Sequence, residues 1–117
     1  MKTNGHSVGE HFENREPVVK DIYQAIIRTA KKFGPVKEDP KKTSIHLVRK
    51  TAFAGIATRK SGLVLTVKSD SNVLNKRIAR REQASANRWH LEIKLDAPEQ
   101  VDQEIAAWLE KSYQIAG

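Results

Sequence analysis

Residues 41–50, KKTSIHLVRK, and residues 87–95, NRWHLEIKL, open and close the stretch that decides the fold of this chain. In the closing segment the apolar residues from Trp89 to Leu95 occupy every second position, which is the period of a half-buried strand and predicts a strand from Arg88 to Leu95. In the opening segment Ile45 and Leu47 alternate with polar neighbours in the same way. The stretch therefore predicts a sheet with one apolar face.

Two further strands are predicted between these segments. TAFAGIAT (51–58) is apolar on both sides, as a central strand would be, and Gly55 is a candidate bulge or close-packing point. LVLTVK (63–68) alternates again, and turn signals between these strands predict a meander. The segment before the last strand, SDSNVLNKRIARREQASAN (69–87), is predicted to be a basic loop or a short helix.

Two amphipathic helices flank the strands. The first begins at Pro17, whose missing N–H suits a first turn, and ends at Gly34-Pro35. The second is predicted to open at Asp96 and to bury an apolar stripe running from Val101 to Ser112. The order α-β-β-β-β-α predicts an α+β two-layer sandwich, in which a four-stranded, mainly antiparallel sheet carries both helices on one face.

The length of 117 residues gives room for a single domain spanning residues 1–117. Residues 1–6 carry no pattern and are predicted to be a flexible end. Directly after them, Ser7 and Glu10 have the S-x-x-E spacing of a capping box, which predicts a short helical turn.

The composition excludes several classes of protein. The chain has no cysteine, which removes disulfides, thiolate nucleophiles and Cys-ligated metal sites. It has no apolar leader and no apolar run near the ~20 residues of a membrane span, so we expect a cytoplasmic protein with no membrane partner. Two strand histidines without nearby carboxylates are an incomplete metal shell, and we expect neither a metal nor a cofactor.

Positive charge is concentrated in the strand region. Lys and Arg outnumber Asp and Glu by 13 to 3 within positions 41–94, whereas they are outnumbered 1 to 5 after position 94. This distribution favours an anionic partner, with nucleic acid as the first choice and a small anion or a protein as alternatives. The predicted anion-binding residues are Lys42, Thr43, Arg49, Lys68, Arg88, His90 and Lys94. The predicted loop contacts, which would close over the ligand, are Lys76, Arg77, Arg80 and Arg81.

Other interpretations of the same residues stay open. The charged face can be a solvated surface without a ligand. A small enzyme could use His46 and His90 with a hydroxyl of Thr43 or Ser44, although no catalytic motif is present and we assign no catalytic residue. An exposed edge strand, or the acidic C-terminal helix docked on a neighbour's basic face, could form a homodimer. The strand histidines could also strengthen anion binding below about pH 6.5, where imidazole becomes cationic.

Several segments in order resemble the uncharacterised bacterial family of domains of unknown function numbered 5655. The matching segments are HSVGEHF, FGPV, PKKTSIHLVRK, FAGI and HLEIKLDAPEQVDQEIAAWLEKSY. The resemblance implies a small domain whose relatives occur alone, behind a small helical domain, or attached to restriction-type nuclease proteins, and some carry the label "predicted transport protein". It also implies that Lys42-Thr43, Arg49 and His90 are recurrent polar positions of the family.

Overall fold

A six-stranded antiparallel sheet and two helices make up the fold in the computed structural model, which describes residues 6–117. In chain order the helices and strands are α1 (Pro17–Lys31), β1 (Lys37–Pro40), β2 (Ile45–Val48), β3 (Ala52–Thr58), β4 (Leu63–Ser69), β5 (Ile78–Ser85), β6 (Arg88–Leu95) and α2 (Gln103–Ile115). The strands are arranged in the order β1-β2-β3-β4-β6-β5, and every neighbouring pair is antiparallel. The α+β class and the β2-β3-β4 meander are confirmed, but the prediction of four strands is wrong.

The two strands that the sequence did not predict are the edge strands of the sheet. β1 lies in the polar segment KEDPKK, and only its last two residues are half-buried. β5 occupies most of the predicted basic loop, and seven of its eight residues are exposed. Edge strands carry little apolar alternation because neither face needs to be buried, so periodicity gave no signal for them.

The apolar face of the sheet packs against both helices in one core. The fully buried strand residues alternate as the sequence predicts, and α1 contributes Ile22 and Ile26 while α2 contributes Ile105 and Leu109. The buried strand residues in this core include Ile45, Leu47, Ile56, Leu63, Leu65, Val67, Leu91, Ile93 and Leu95. Both helices therefore cover the same face, and the other face of the sheet is left open.

The first helix begins at the predicted residue and the second does not. Pro17 is the first residue of α1, and Gly34 after its end has a φ of +150°, as predicted for a residue that stops a helix. α2 begins at Gln103, where the Asp102 side chain accepts a hydrogen bond from the N–H of Ile105. The predicted start at Asp96 is wrong because a 3-10 turn (Pro98–Gln100) intervenes before the helix.

The N-terminal segment is attached to the sheet by specific hydrogen bonds. Ser7 and Glu10 exchange the two bonds of the predicted capping box, at 3.0 and 3.3 Å, and open a 3-10 turn (Gly9–Phe12). The buried His11 contacts the carbonyl oxygen of Lys41 through Nε2 at 2.8 Å. The hydroxyl of Thr58 donates to the carbonyl oxygen of His11. Residues 1–5 of the predicted flexible end lie outside the described residues.

Candidate anion-binding face

The register of the sheet brings polar residues of four strands into one row on the open face, with Gly55 of a fifth strand between them. His46 of β2 lies opposite Gly55 of β3, and Gly55 lies opposite Thr66 of β4. Thr66 in turn lies opposite Glu92 of β6, which lies opposite Arg80 of β5. Since residues opposite each other in an antiparallel pair have side chains on the same face, Gly55 leaves a gap in the middle of this row.

A cavity of about 280 Å³ occupies this gap, and we call it the diagonal groove because it crosses from the β1–β2 turn to β6. The small residues Ala52, Ala54, Gly55 and Ala57 of β3 line its middle. Its polar lining residues are Ser44, His46, Thr66, Lys68 and His90. A side chain larger than hydrogen at position 55 would occupy the groove, since a Cβ there would lie 3.9 Å from Cβ of Thr66 and 4.0 Å from Cδ2 of His46.

The ionisable groups that line the diagonal groove are all basic: His46, Lys68 and His90. Lys68 and His90 lie directly opposite each other on β4 and β6. His46 is three strands away from His90 and two residues out of its row, which places their backbones about 16 Å apart. The two imidazoles are thus too far apart to form a hydrogen-bonded pair. A ligand that contacted both of them would have to span the groove.

A buried hydroxyl bridges β3 and β4 on the helix side of the sheet, behind the groove. The register shift between β2 and β3 makes Phe53 an extra residue, so the bulge lies at Phe53 rather than at the predicted Gly55. The Lys68 N–H donates to Oγ of Ser112 at 2.8 Å, and that hydroxyl donates to the carbonyl oxygen of Phe53. Ser112 of α2 therefore replaces the direct ladder bond where β3 and β4 separate.

Several predicted site residues lie in or beside the diagonal groove. Lys68 and His90 line it, and Lys42 and Thr43 are exposed in the β1–β2 turn next to Ser44. Arg88 starts β6, two residues before His90. The remaining predicted face residue, Lys94, is exposed on the same face and lines a second depression, of about 560 Å³, with Arg59 and Glu92.

Two predicted site residues lie away from the open face, in contacts with α2. The guanidinium of Arg49 stacks 4.5 Å from the ring centre of Tyr113 and donates to the Tyr113 carbonyl oxygen at 3.0 Å. Arg77 pairs with Asp102 and Glu104 at 3.0 Å each. The hydrogen bond from Arg77 holds the pKa of the Asp102 carboxyl below its usual range. Both arginines thus bind structural partners.

The predicted closing loop (69–87) forms two parts, an irregular segment that packs against α2 and the strand β5. Residues 70–77 run alongside α2, since Asp70 lies 3.6 Å from Lys111 and Asn75 donates to Glu104 at 2.9 Å. Lys76 is exposed in this segment, so neither it nor Arg77 lies over the open face. Within β5, Arg80 is on the open face and Arg81, opposite the core residue Leu91, is on the other.

The groove residues missing from the predicted set are Ser44, His46 and Thr66, together with Ser112 beneath it. The alternation of β2 and β4 placed all three on the open face. The uncharged side chains of Ser44 and Thr66 gave no charge signal, and His46 was considered only as a catalytic group or as an anion contact at low pH. The burial of Ser112 was predicted, but its hydrogen bonds carried no signal, because they depend on a bulge in a distant strand.

The fold and groove together define a two-layer α+β domain with a concave, basic groove on its open sheet face. Within residues 6–117 there is no cluster of three or more metal-ligating side chains, and no helix there is long and apolar enough to cross a membrane. The chain belongs to the family described as Domain of unknown function (DUF5655), which matches residues 8–116. No curated protein and no solved structure matches it.

Proposed function

We propose that the chain is a non-enzymatic binding module whose open sheet face binds an anionic partner, with nucleic acid favoured. The observation that carries this proposal is a set of cations without ion-pair partners among residues 6–117. On the open face they include Lys68 of β4 and Arg88 of β6, which lie in and beside the diagonal groove. Since a protein–nucleic acid contact replaces condensed counterions with Lys and Arg, such unpaired charges are the groups that it requires.

The location of the paired charges supports the same assignment. Arg77, Lys41 and Lys111 each lie within 4 Å of a carboxylate. The pairs of Arg77 and Lys41 neutralise part of the basic segment against α2 and β1, whereas Lys111 of α2 pairs with Asp70. Lys68 and Arg88 on the open face are not neutralised in this way, so the anion would approach at β4 and β6.

The open face also carries carboxylates, which shape how a polyanion could lie on it. Glu92 lies opposite Thr66, and Glu82 lies opposite His90 and 3.8 Å from Arg80. Neither carboxylate lines the diagonal groove, so a phosphate backbone placed across it would pass beside them, at its β6 end. The partner would therefore follow the path from the β1–β2 turn to Lys68 and Arg88.

Anisotropy of fluorescent single-stranded and duplex oligonucleotides, measured from 50 to 300 mM salt, tests the proposal. The test variant is the double substitution Lys68→Gln and Arg88→Gln, and the control is Lys31→Gln with Lys111→Gln on the helices. We expect log affinity to fall with log salt, with a slope shallower by about 1.4 to 1.8 in the test variant only. Absence of binding at 50 mM salt, or equal slopes in both variants, would rule out the proposal.

A further inference from the structure

We propose that the Lys68 end of the diagonal groove binds one phosphate group, held by Lys68, His90 and Thr66. This inference rests on the proposed function and deepens it by naming the chemical group and its contacts. The group could belong to a nucleic acid backbone or to a free phosphate compound. The shared chemistry is a tetrahedral anion, with two free oxygens in a backbone diester and three in a monoester.

The three side chains are close enough to share one ligand. Lys68 and His90 are direct cross-strand partners, so their Cα atoms lie about 5 Å apart. Thr66 is two residues before Lys68 on the same face of β4, which is a distance of about 7 Å. All three line the same cavity and are only half-buried, so a ligand can reach them from solvent.

Their chemistry suits phosphate better than carboxylate. An ammonium, a hydroxyl and an imidazole can donate from three directions, which matches the three free oxygens of a phosphate monoester. A carboxylate offers only two oxygens in one plane. Glu82 and Glu92 lie outside the lining of the groove but are the cross-strand neighbours of His90 and Thr66, so the phosphate must lie on the β4 side of these residues.

The other end of the groove accommodates the rest of the ligand. Gly55 leaves the middle of the groove empty, and Ser44 and His46 lie beyond it. Position 55 can therefore be used to block the groove: the Cβ of a Gly55→Val variant would make ordinary contacts with its neighbours. The variant is expected to fold while its side chain excludes the ligand.

The test is a titration of ¹⁵N-labelled full chain, following the Gly55 and Lys68 amide resonances. The probes are inorganic phosphate, adenosine monophosphate, an oligothymidine without terminal phosphates, and acetate at matched ionic strength as the carboxylate control. The variants are Gly55→Val, Lys68→Gln, and Lys94→Gln as a matched loss of charge on the same face. The spectrum of each free variant shows whether it is folded.

We expect phosphate and adenosine monophosphate to shift both resonances saturably, and acetate not to do so. Lys68→Gln should weaken binding of both about ten-fold, and Lys94→Gln should change it less than two-fold. Folded Gly55→Val should abolish binding of adenosine monophosphate, whose nucleoside needs the middle of the groove. If the groove also binds backbone phosphates, the oligothymidine should compete with phosphate. Phosphate binding without oligonucleotide binding would support the groove and free phosphate compounds while removing the nucleic-acid proposal.

Two results would overturn the inference. One is a chain that does not respond to phosphate and whose oligonucleotide binding is unaffected by Gly55→Val. The proposed function would then hold, but the groove would not be the binding site. The other is an acetate response equal to that of phosphate, or an equal loss in Lys68→Gln and Lys94→Gln, which would indicate nonspecific attraction.

Discussion

The Ser112 hydroxyl joins α2 to two strands. Its removal should lower stability far more than the loss of a serine hydroxyl usually does. Ser112 is fully buried and satisfies both the Lys68 N–H and the Phe53 carbonyl oxygen. In Ser112→Ala both groups lose their partner. Each unsatisfied buried group costs about 1–3 kcal/mol, and we expect a total near 3 kcal/mol because the partly exposed Lys68 can be rehydrated.

Urea unfolding followed by tryptophan fluorescence measures this loss. With an m value of about 1.5 kcal/mol/M, a loss of about 3 kcal/mol lowers the midpoint by about 2 M. The matched control is Ser61→Ala, whose exposed hydroxyl donates to Glu16 at 2.9 Å and whose loss should change stability by less than about 0.5 kcal/mol.

Amide hydrogen exchange at Lys68 gives a local measurement of the same contact. Loss of protection at this amide in Ser112→Ala, beyond the loss at its neighbours, would show that the hydroxyl was its partner. A stability change below about 1 kcal/mol with the Lys68 amide still protected would refute the reasoning, because the strands would then have closed and formed the direct bond.

Two further predictions concern the ends of the helices. Asp102→Asn should destabilise the chain by about 1 kcal/mol at pH 7, because it weakens the helix cap and removes the ion pair with Arg77. Urea unfolding measures this difference. Because the pKa of Asp102 is lower in the folded state, the full difference in stability should be present above the unfolded pKa of about 3.9 and should shrink as the pH falls through the folded pKa. A difference at pH 2.5 as large as that at pH 7 would contradict this expectation. Gly34→Ala should cost about 1–3 kcal/mol, since φ is +150° and a Cβ would lie 2.5 Å from the Tyr113 hydroxyl oxygen. Its thermal midpoint should fall well below that of Gly9→Ala, where a Cβ meets open space, and equal midpoints would disprove the strain.

The sequence predicts the parts of this fold in which burial imposes a period. β6 was predicted with its observed bounds, because its alternating residues must face either the core or solvent. β5 pairs with β6 through its backbone, and its exposed side chains carry no such constraint. A pattern based on side-chain burial cannot detect a strand that is held by main-chain hydrogen bonds.

The candidate site was predictable only in part for a related reason. Alternation placed Lys68 and His90 on the open face, but charge alone could not separate arginines at the surface from those bound by α2. Arg49 and Arg77 have partners 64 and 25 residues away in the chain, Tyr113 and Asp102. Such long-range pairing depends on the tertiary structure, which local sequence patterns do not contain.

The two edges of the sheet have a consequence for the behaviour of the chain at high concentration. β1 has four residues and ends at Pro40, which has no N–H to offer to an incoming strand. β5 has register irregularities at both ends, and Arg80, Arg81 and Glu82 lie between them. Short, kinked and charged edges oppose the addition of strands from other molecules, so fibre-like aggregation through the folded sheet is disfavoured. The charge of β5 would thus protect the folded chain from aggregation even when no ligand is bound.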